Sequence, residues 1–267
     1  MSSKRSKKKN ILCSTCNVIK EDKNHNLFSE NKEDLSHFPG YIPLFNKKGS
    51  ETILLELGKK HSNRLIYYIS SHTRNSNLLL KYPDSYKNSD NYGLAKLDMN
   101  GKVKLSINCP QAYKEKGISY VSHIHILVSN KAMNSWQNDF ITVSVICKID
   151  KSLVKKHLKK KDRLIINALS KEYFDKSHIP TSFNLFYKEA TKMSSSKIKS
   201  LVKQMINNHD DLQKYIKKNK IPFLDTPIIV YCYDKKCSAG HQLGNTLVKN
   251  GFTNVIDYSG GIVDWEK

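Results

Sequence analysis

Pro227-Ile-Ile-Val-Tyr-Cys-Tyr-Asp-Lys-Lys-Cys-Ser-Ala-Gly-His-Gln-Leu243 is the stretch on which the reading of the fold turns. Its first five residues form a short, unbroken apolar run, the pattern of a strand buried on both faces. A loop follows from Cys232 to Cys237, and a helix is expected from near Ser238. A cysteine so placed lies at the carboxyl end of a parallel strand, where open α/β sheets put their ligands. Backbone N–H groups of Tyr233, Asp234, Lys235, Lys236, Cys237 and Ser238, with the first turn of the helix, would form an anion cradle around the Cys232 sulfur. They would favour the thiolate, the reactive form. Lys235 and Lys236 would act in the same direction and attract an anionic donor. A sulfur in that position can attack a sulfane sulfur, hold it as a persulfide and pass it to an acceptor.

The neighbouring sequence supports an α/β setting. Residues 152–161 read as a basic helix, Leu164-Ile-Ile166 as a second buried strand, 195–218 as a helical segment and Val255-Ile256 as a last short strand. Apolar strands alternating with helices imply a parallel sheet flanked by helices. Upstream, 41–149 is rich in β-branched and aromatic residues, several alternating with period two. Gly, Asn, Asp and Pro cluster between these runs, as at Tyr82-Pro-Asp84 and Met99-Asn-Gly101. No convincing helix interrupts that block, so an antiparallel β-sandwich is expected. The predicted organisation is a basic, flexible tail over 1–36, a β-sandwich domain over 37–149 and an α/β domain over 150–267.

The C-terminal region resembles a rhodanese domain. That family reads as an apolar strand, Tyr-Cys, a short active-site loop, a helix, Gly-Phe-x-Asn-Val and a Gly-Gly-Ile-x-x-Trp ending. The matching residues are Tyr231-Cys232, Gly251-Phe-Thr-Asn-Val255 and Gly260-Gly-Ile-Val-Asp-Trp265, in that order. Upstream, Glu172-Tyr173, His178-Ile-Pro180 and Phe183-Asn184 are similar to the family's acidic-aromatic step and its His-Ile-Pro-Gly-Ala-x-Asn signature. The resemblance implies sulfurtransferase chemistry with Cys232 as the catalytic nucleophile. Its partners would be a sulfane-sulfur donor and a thiol or protein acceptor, and it would need no cofactor. Two positions depart from the pattern. The family's Asp-x-Arg is Asn167-Ala168-Leu169 here, and Thr181-Ser182 stands where Gly-Ala is usual. Phosphatases on this fold use a longer loop ending in arginine, which braces phosphate oxygens. The loop from Cys232 to Cys237 has no arginine and suits a sulfur atom better. Cys237 is either a resolving cysteine for Cys232 or a small residue filling the base of the loop.

Net charge is +21 and the sequence pI is near 9.6. Such a balance favours polyanions, so nonspecific nucleic-acid binding through a basic surface is one expectation. The same lysine- and asparagine-heavy bias would arise on any exposed surface encoded by an A/T-rich genome, and would not be out of place in a large DNA virus. No apolar run is long enough to span a bilayer, and no secretory signal opens the sequence, so an intracellular protein without a membrane partner is expected. The six cysteines are too sparse for a disulfide framework and are expected to be mostly reduced thiols.

Three features lie outside the α/β reading. His123 and His125 are two apart on a predicted strand, so both imidazoles would face one side and could share a metal. Their setting, Tyr120-Val-Ser-His-Ile-His-Ile-Leu-Val128, is similar to the His-Ile-His strand of intradiol ring-cleaving dioxygenases, with Tyr92, Tyr113 and Tyr120 as nearby phenols. Cys13 and Cys16 have the spacing of half a zinc knuckle, with His25 and His37 as nearest further ligands. Ser-Lys-Arg-Ser-Lys-Lys-Lys over 3–9 is either a phosphate-binding or nuclear-localisation patch or a solvated tail. Against the sulfurtransferase stand two other readings: a non-catalytic rhodanese-like module in a basic binding protein, and a metal enzyme centred on His123 and His125.

Overall fold

The computed structural model describes residues 48–87, 89, 91–137 and 140–267. The N-terminal tail, with Cys13 and Cys16, lies outside the described residues. The first half of the described chain forms β1 (Glu51–Glu56), β2 (Leu65–Ser70), β3 (Leu80–Lys81), β4 (Tyr92–Lys96), β5 (Lys102–Ile107), β6 (Tyr113–Glu115), β7 (Ile118–Tyr120), β8 (His123–Val128) and β9 (Ile141–Ser144). The second half contains β10 (Leu164–Asn167), β11 (Phe183–Asn184), β12 (Ile228–Tyr231) and β13 (Val255–Tyr258). Among the described residues no helix is long and apolar enough to cross a membrane.

Two compact units divide the chain. The first comprises residues 1–70, 91–107 and 124–144, the second 71–90, 108–123 and 145–267. In the first, β1 pairs antiparallel with β5, and β2 lies between β4 and β8, antiparallel to both. Period-two patterning explains β1, where Ile53 and Leu55 are buried while Thr52 and Leu54 are exposed. Tyr67, Ile69, Leu94 and Leu127 form an apolar cluster against which Tyr92, Trp136 and Phe140 pack. The expected antiparallel sandwich is therefore seen in part. Two observations correct the reading of the block as uninterrupted antiparallel strand. β3 and β6 pair in parallel, and Tyr82–Tyr86 is a short helix (α1) rather than a turn. Pro83 suits that helix because the first turn has no intrahelical use for its N–H.

The second unit carries a parallel sheet in the order β11-β10-β12-β13. Leu164, Ile166, Ile228 and Val230 are wholly buried, as the unbroken apolar runs predicted. The helices are α2 (Lys151–Lys160), α3 (Lys171–Lys176), α4 (Tyr187–Ala190), α5 (Ser195–Asn207), α6 (Asp210–Lys218), α7 (Ala239–Lys249) and α8 (Gly261–Trp265). The helical segment expected over 195–218 is two helices. His209 ends the first run by capping α6, its Nδ1 accepting the N–H of Leu212 at 3.3 Å.

The sheet's amino ends meet a buried polar network. Asp162 accepts from His157 Nδ1 at 2.8 Å and from Asn77 Nδ2 at 3.0 Å. Asn77 Oδ1 accepts from Arg163 Nη2 at 2.9 Å, and its carbonyl accepts from Asn254 Nδ2 at 2.7 Å. Asp225 accepts from Ser119 at 3.0 Å and Thr253 at 2.7 Å, and pairs with Lys114 at 2.6 Å. The expectation of mostly reduced thiols also needs correction, because Cys109 and Cys147 form a disulfide. Sparse cysteines argue against a disulfide framework but do not reveal which pair the fold brings together.

Burial alone would raise the Asp162 pKa, but the hydrogen bond and charge of His157, with Arg163 and Lys160, outweigh it and hold the carboxyl below its ordinary 3.8. A lowered folded-state pKa stabilises the fold above the ordinary value and loses that effect as pH falls through the lowered one. Asp162→Asn should therefore cost about 1–3 kcal/mol near neutrality and flatten the acid limb of the stability profile below the ordinary carboxylate value, as read by denaturant unfolding across pH.

Candidate active site

The loop after β12 is built by its flanks. Gly240, in the first turn of α7, lies so close to the end of β12 that an added Cβ would stand 3.2 Å from the Tyr231 carbonyl carbon and 3.0 Å from Asp257 Oδ1. That close approach brings the Gly240 N–H onto the Cys232 sulfur. On the other side, the carbonyls of Cys232 and Tyr233 accept the N–H groups of Ile262 and Val263 at 3.1 and 3.0 Å. Gly261 makes this clamp possible. Its φ is +64°, and a Cβ there would fall 2.4 Å from the Tyr233 oxygen and 2.6 Å from the Cys232 oxygen.

Within the loop, Asp234 Oδ1 accepts the N–H groups of Lys236 and Cys237 at 2.9 and 3.0 Å. Those two groups of the expected cradle thus face the Asp234 carboxylate. Lys235, Lys236 and Ser238 are exposed, and Tyr233 is about half exposed. Cys232 is buried and Cys237 partly buried, both as free thiols. The Cys232 Sγ donates to the Cys237 carbonyl at 3.0 Å, so it is held as a thiol.

The two sulfurs also hydrogen-bond each other, and they titrate as a pair. The bond to Cys237 and then burial push the Cys232 thiol up, with the Asp257 charge adding and the Gly240 N–H opposing. The bond from Cys232 brings Cys237 down against burial, helped by the N–H groups of Tyr233 and Ala239 and opposed by Asp234. The Cys232 thiol is thus shifted up and the Cys237 thiol down. For Cys232 that direction is opposite to the one expected from the sequence, and its first cause is the neighbouring Cys237.

The upstream signature residues support the same loop from below. Tyr231 Oη accepts the Ile179 N–H at 3.0 Å and shares a hydrogen bond with Ser182 Oγ at 2.8 Å. Asn184 Nδ2 donates to the Leu169 carbonyl at 2.8 Å. Both departures from the family pattern acquire a physical meaning. Asn167 keeps an acceptor, its Oδ1 taking the Leu169 N–H at 2.8 Å, while Leu169 packs against the apolar core. Thr181 has φ +62°, the left-handed conformation that glycine adopts without cost.

His123 and His125 are placed in different units. His123 Nδ1 donates to the Val121 carbonyl at 2.6 Å, so Nε2 accepts from Tyr113 Oη at 3.2 Å. Burial pushes the Tyr113 phenol well above its usual range, and its ring stacks on Tyr120. His125 Nδ1 meets Thr142 Oγ1 at 3.1 Å, and its ring contacts Phe140 edge-on. Among the described residues no three or more His, Cys, Asp or Glu side chains gather as a metal site. Sequence reasoning missed the Asp234 turn, and the only signal for it was an Asp two residues before the N–H groups it binds.

Residues 150–267 match the family model of the Rhodanese-like domain, and this part of the chain is a rhodanese-like domain. Three solved structures are similar to it. The human single-domain sulfurtransferase TSTD1 is 15% identical with a TM-score of 0.32, covering 46% of this chain and 96% of that one. An uncharacterized protein from Saccharomyces cerevisiae is 20% identical with a TM-score of 0.31, covering 46% and 92%. The single-domain sulfurtransferase RDL2 of the same yeast is 14% identical with a TM-score of 0.32, covering 46% and 90%. No curated protein matches the chain.

Gly261→Ala should unfold the clamp on the loop and cost about 1–3 kcal/mol in denaturant titration, from the positive φ and the carbonyl collisions together. Iodoacetamide should label Cys237 before Cys232, with a rate that rises with pH around a midpoint below the ordinary thiol value of 9.0. Peptide mapping at short times reads which sulfur carries the label.

Proposed function

We propose that the C-terminal domain is a rhodanese-type sulfurtransferase that passes sulfane sulfur through a persulfide on Cys232. The observation that carries this reading is the position of the Cys232 thiol. It follows β12 at the carboxyl end of a parallel sheet, faces the Gly240 N–H of α7 and donates its proton to the Cys237 carbonyl. On attack Cys232 gives that proton to Cys237. With thiosulfate as donor, the Cys232 thiolate forms a bond to the outer sulfur and sulfite leaves with the electron pair of the broken S–S bond. An acceptor thiolate then attacks the outer sulfur of the persulfide, and Cys232 leaves as a thiolate. Lys235 and Lys236, both exposed beside the loop, supply positive charge to an anionic donor.

A second reading, a non-catalytic rhodanese-like module in a basic binding protein, is favoured by one specific observation. Leu169 stands where the family pattern has arginine, and it lies in apolar contacts rather than facing a ligand. Thiocyanate formation from thiosulfate and cyanide separates the two. The wild-type protein should turn over, and Cys232→Ser should lose at least about a hundredfold in rate. Turnover that survives in Cys232→Ser, or no turnover by the wild type with any sulfane donor, would overturn the enzyme reading.

A further inference from the structure

The sulfurtransferase reading leaves one nucleophile without a task. Cys237 is a free thiol five residues from Cys232, and its backbone carbonyl accepts the Cys232 Sγ–H at 3.0 Å. Two features hold it there. The Asp234 carboxylate tightens the loop by binding the N–H groups of Lys236 and Cys237, and the Cys237 carbonyl receives the Cys232 thiol proton at 3.0 Å. The loop's other end is fixed by the Ile262 and Val263 N–H groups on the Cys232 and Tyr233 carbonyls. Neither sulfur can leave the other's neighbourhood without breaking these bonds.

We infer that Cys237 resolves the Cys232 persulfide, so that the domain reduces sulfane sulfur to sulfide and closes a Cys232–Cys237 disulfide. This rests on the proposed persulfide at Cys232. In the step, Cys237 Sγ attacks the inner sulfur of the persulfide. The Cys232–Cys237 S–S bond forms, the bond to the outer sulfur breaks, and hydrosulfide leaves with the electron pair and the proton that Cys237 carried. The sulfane sulfur is reduced by two electrons, and the two cysteine sulfurs are oxidised by one each. A dithiol reductant then restores the pair by thiol–disulfide exchange, becoming a disulfide itself.

Attack at the inner sulfur is the favoured course on two grounds. The resting contact already sets Cys237 beside Cys232 Sγ, which becomes the inner sulfur. Hydrosulfide is also a weaker base than an alkanethiolate, and the weaker base leaves faster. Attack at the outer sulfur would only move the persulfide to Cys237 and regenerate the Cys232 thiolate.

The test uses the full chain, reduced, desalted, free of oxygen and given one equivalent of thiosulfate. The wild type should release about one sulfide per chain and end as an intramolecular disulfide between Cys232 and Cys237, located by peptide mass. Cys237→Ser and Cys237→Ala should stop at a Cys232 persulfide, with sulfide release lowered at least about tenfold. Adding dithiothreitol should make sulfide release by the wild type catalytic. A wild-type protein that keeps its persulfide without sulfide or disulfide would overturn the role of Cys237 and leave sulfur transfer standing, as would a persulfide found on Cys237. Failure of wild type and variants alike to take up sulfur would overturn the sulfurtransferase reading and this inference with it.

Discussion

Two backbone hydrogen bonds, from Ile262 and Val263 to the carbonyls of Cys232 and Tyr233, hold the chemistry of this protein in place. A loop that leaves a buried strand turns its carbonyls toward whatever lies above the sheet, and unpaired carbonyls there would be costly. Gly261 lets the chain approach these carbonyls within the distance that a side chain would forbid. On the loop's other side, the Gly240 and Ala239 N–H groups of α7 meet the sulfurs of Cys232 and Cys237. The geometry of the cysteine loop is thus fixed by a segment that contributes only backbone N–H groups to it.

That arrangement explains which parts of the site were legible. The strand, the loop and the following helix could be read because apolar runs, a cysteine between them and glycines on either side are local signals. The order of Tyr231-Cys232, Gly251-Phe252 and Gly260-Gly261 carried the fold further than any one of them. Missing from the sequence was the direction of the charge. Cys232 and Cys237 differ in burial and are shifted in opposite directions, and neither property is written in a six-residue spacing. The Cys109–Cys147 disulfide was hidden for a similar reason, its two residues being 38 apart in the chain.

The N-terminal half was less legible because its strands are short and their partners distant. β3 joins β6 in parallel across more than thirty residues, and no local pattern announces such a pair. Compact grouping does not follow chain order either. Residues 71–90 and 108–123 belong with the parallel sheet, and the reason is polar. Asn77 bridges Asp162, Arg163 and Asn254, while Lys114 and Ser119 meet Asp225. Single polar residues in a β-rich stretch look like solvent-facing positions until their buried partners are known. His123 is the clearest case. Read as a metal ligand beside His125, it is instead satisfied by a carbonyl and a phenol.

The departures from the family pattern fall into two kinds, and the difference bears on activity. Asn167 and Thr181 change chemistry while keeping geometry. The first still accepts the Leu169 N–H, and the second takes the left-handed turn at a cost of about 1–2 kcal/mol that glycine would avoid. Leu169 is different, because it removes a guanidinium and fills apolar space. A site without that cation must hold an anionic donor by other means. Near the sulfurs stand the carboxyl groups of Asp234 and Asp257, with Lys235 and Lys236 exposed on the loop.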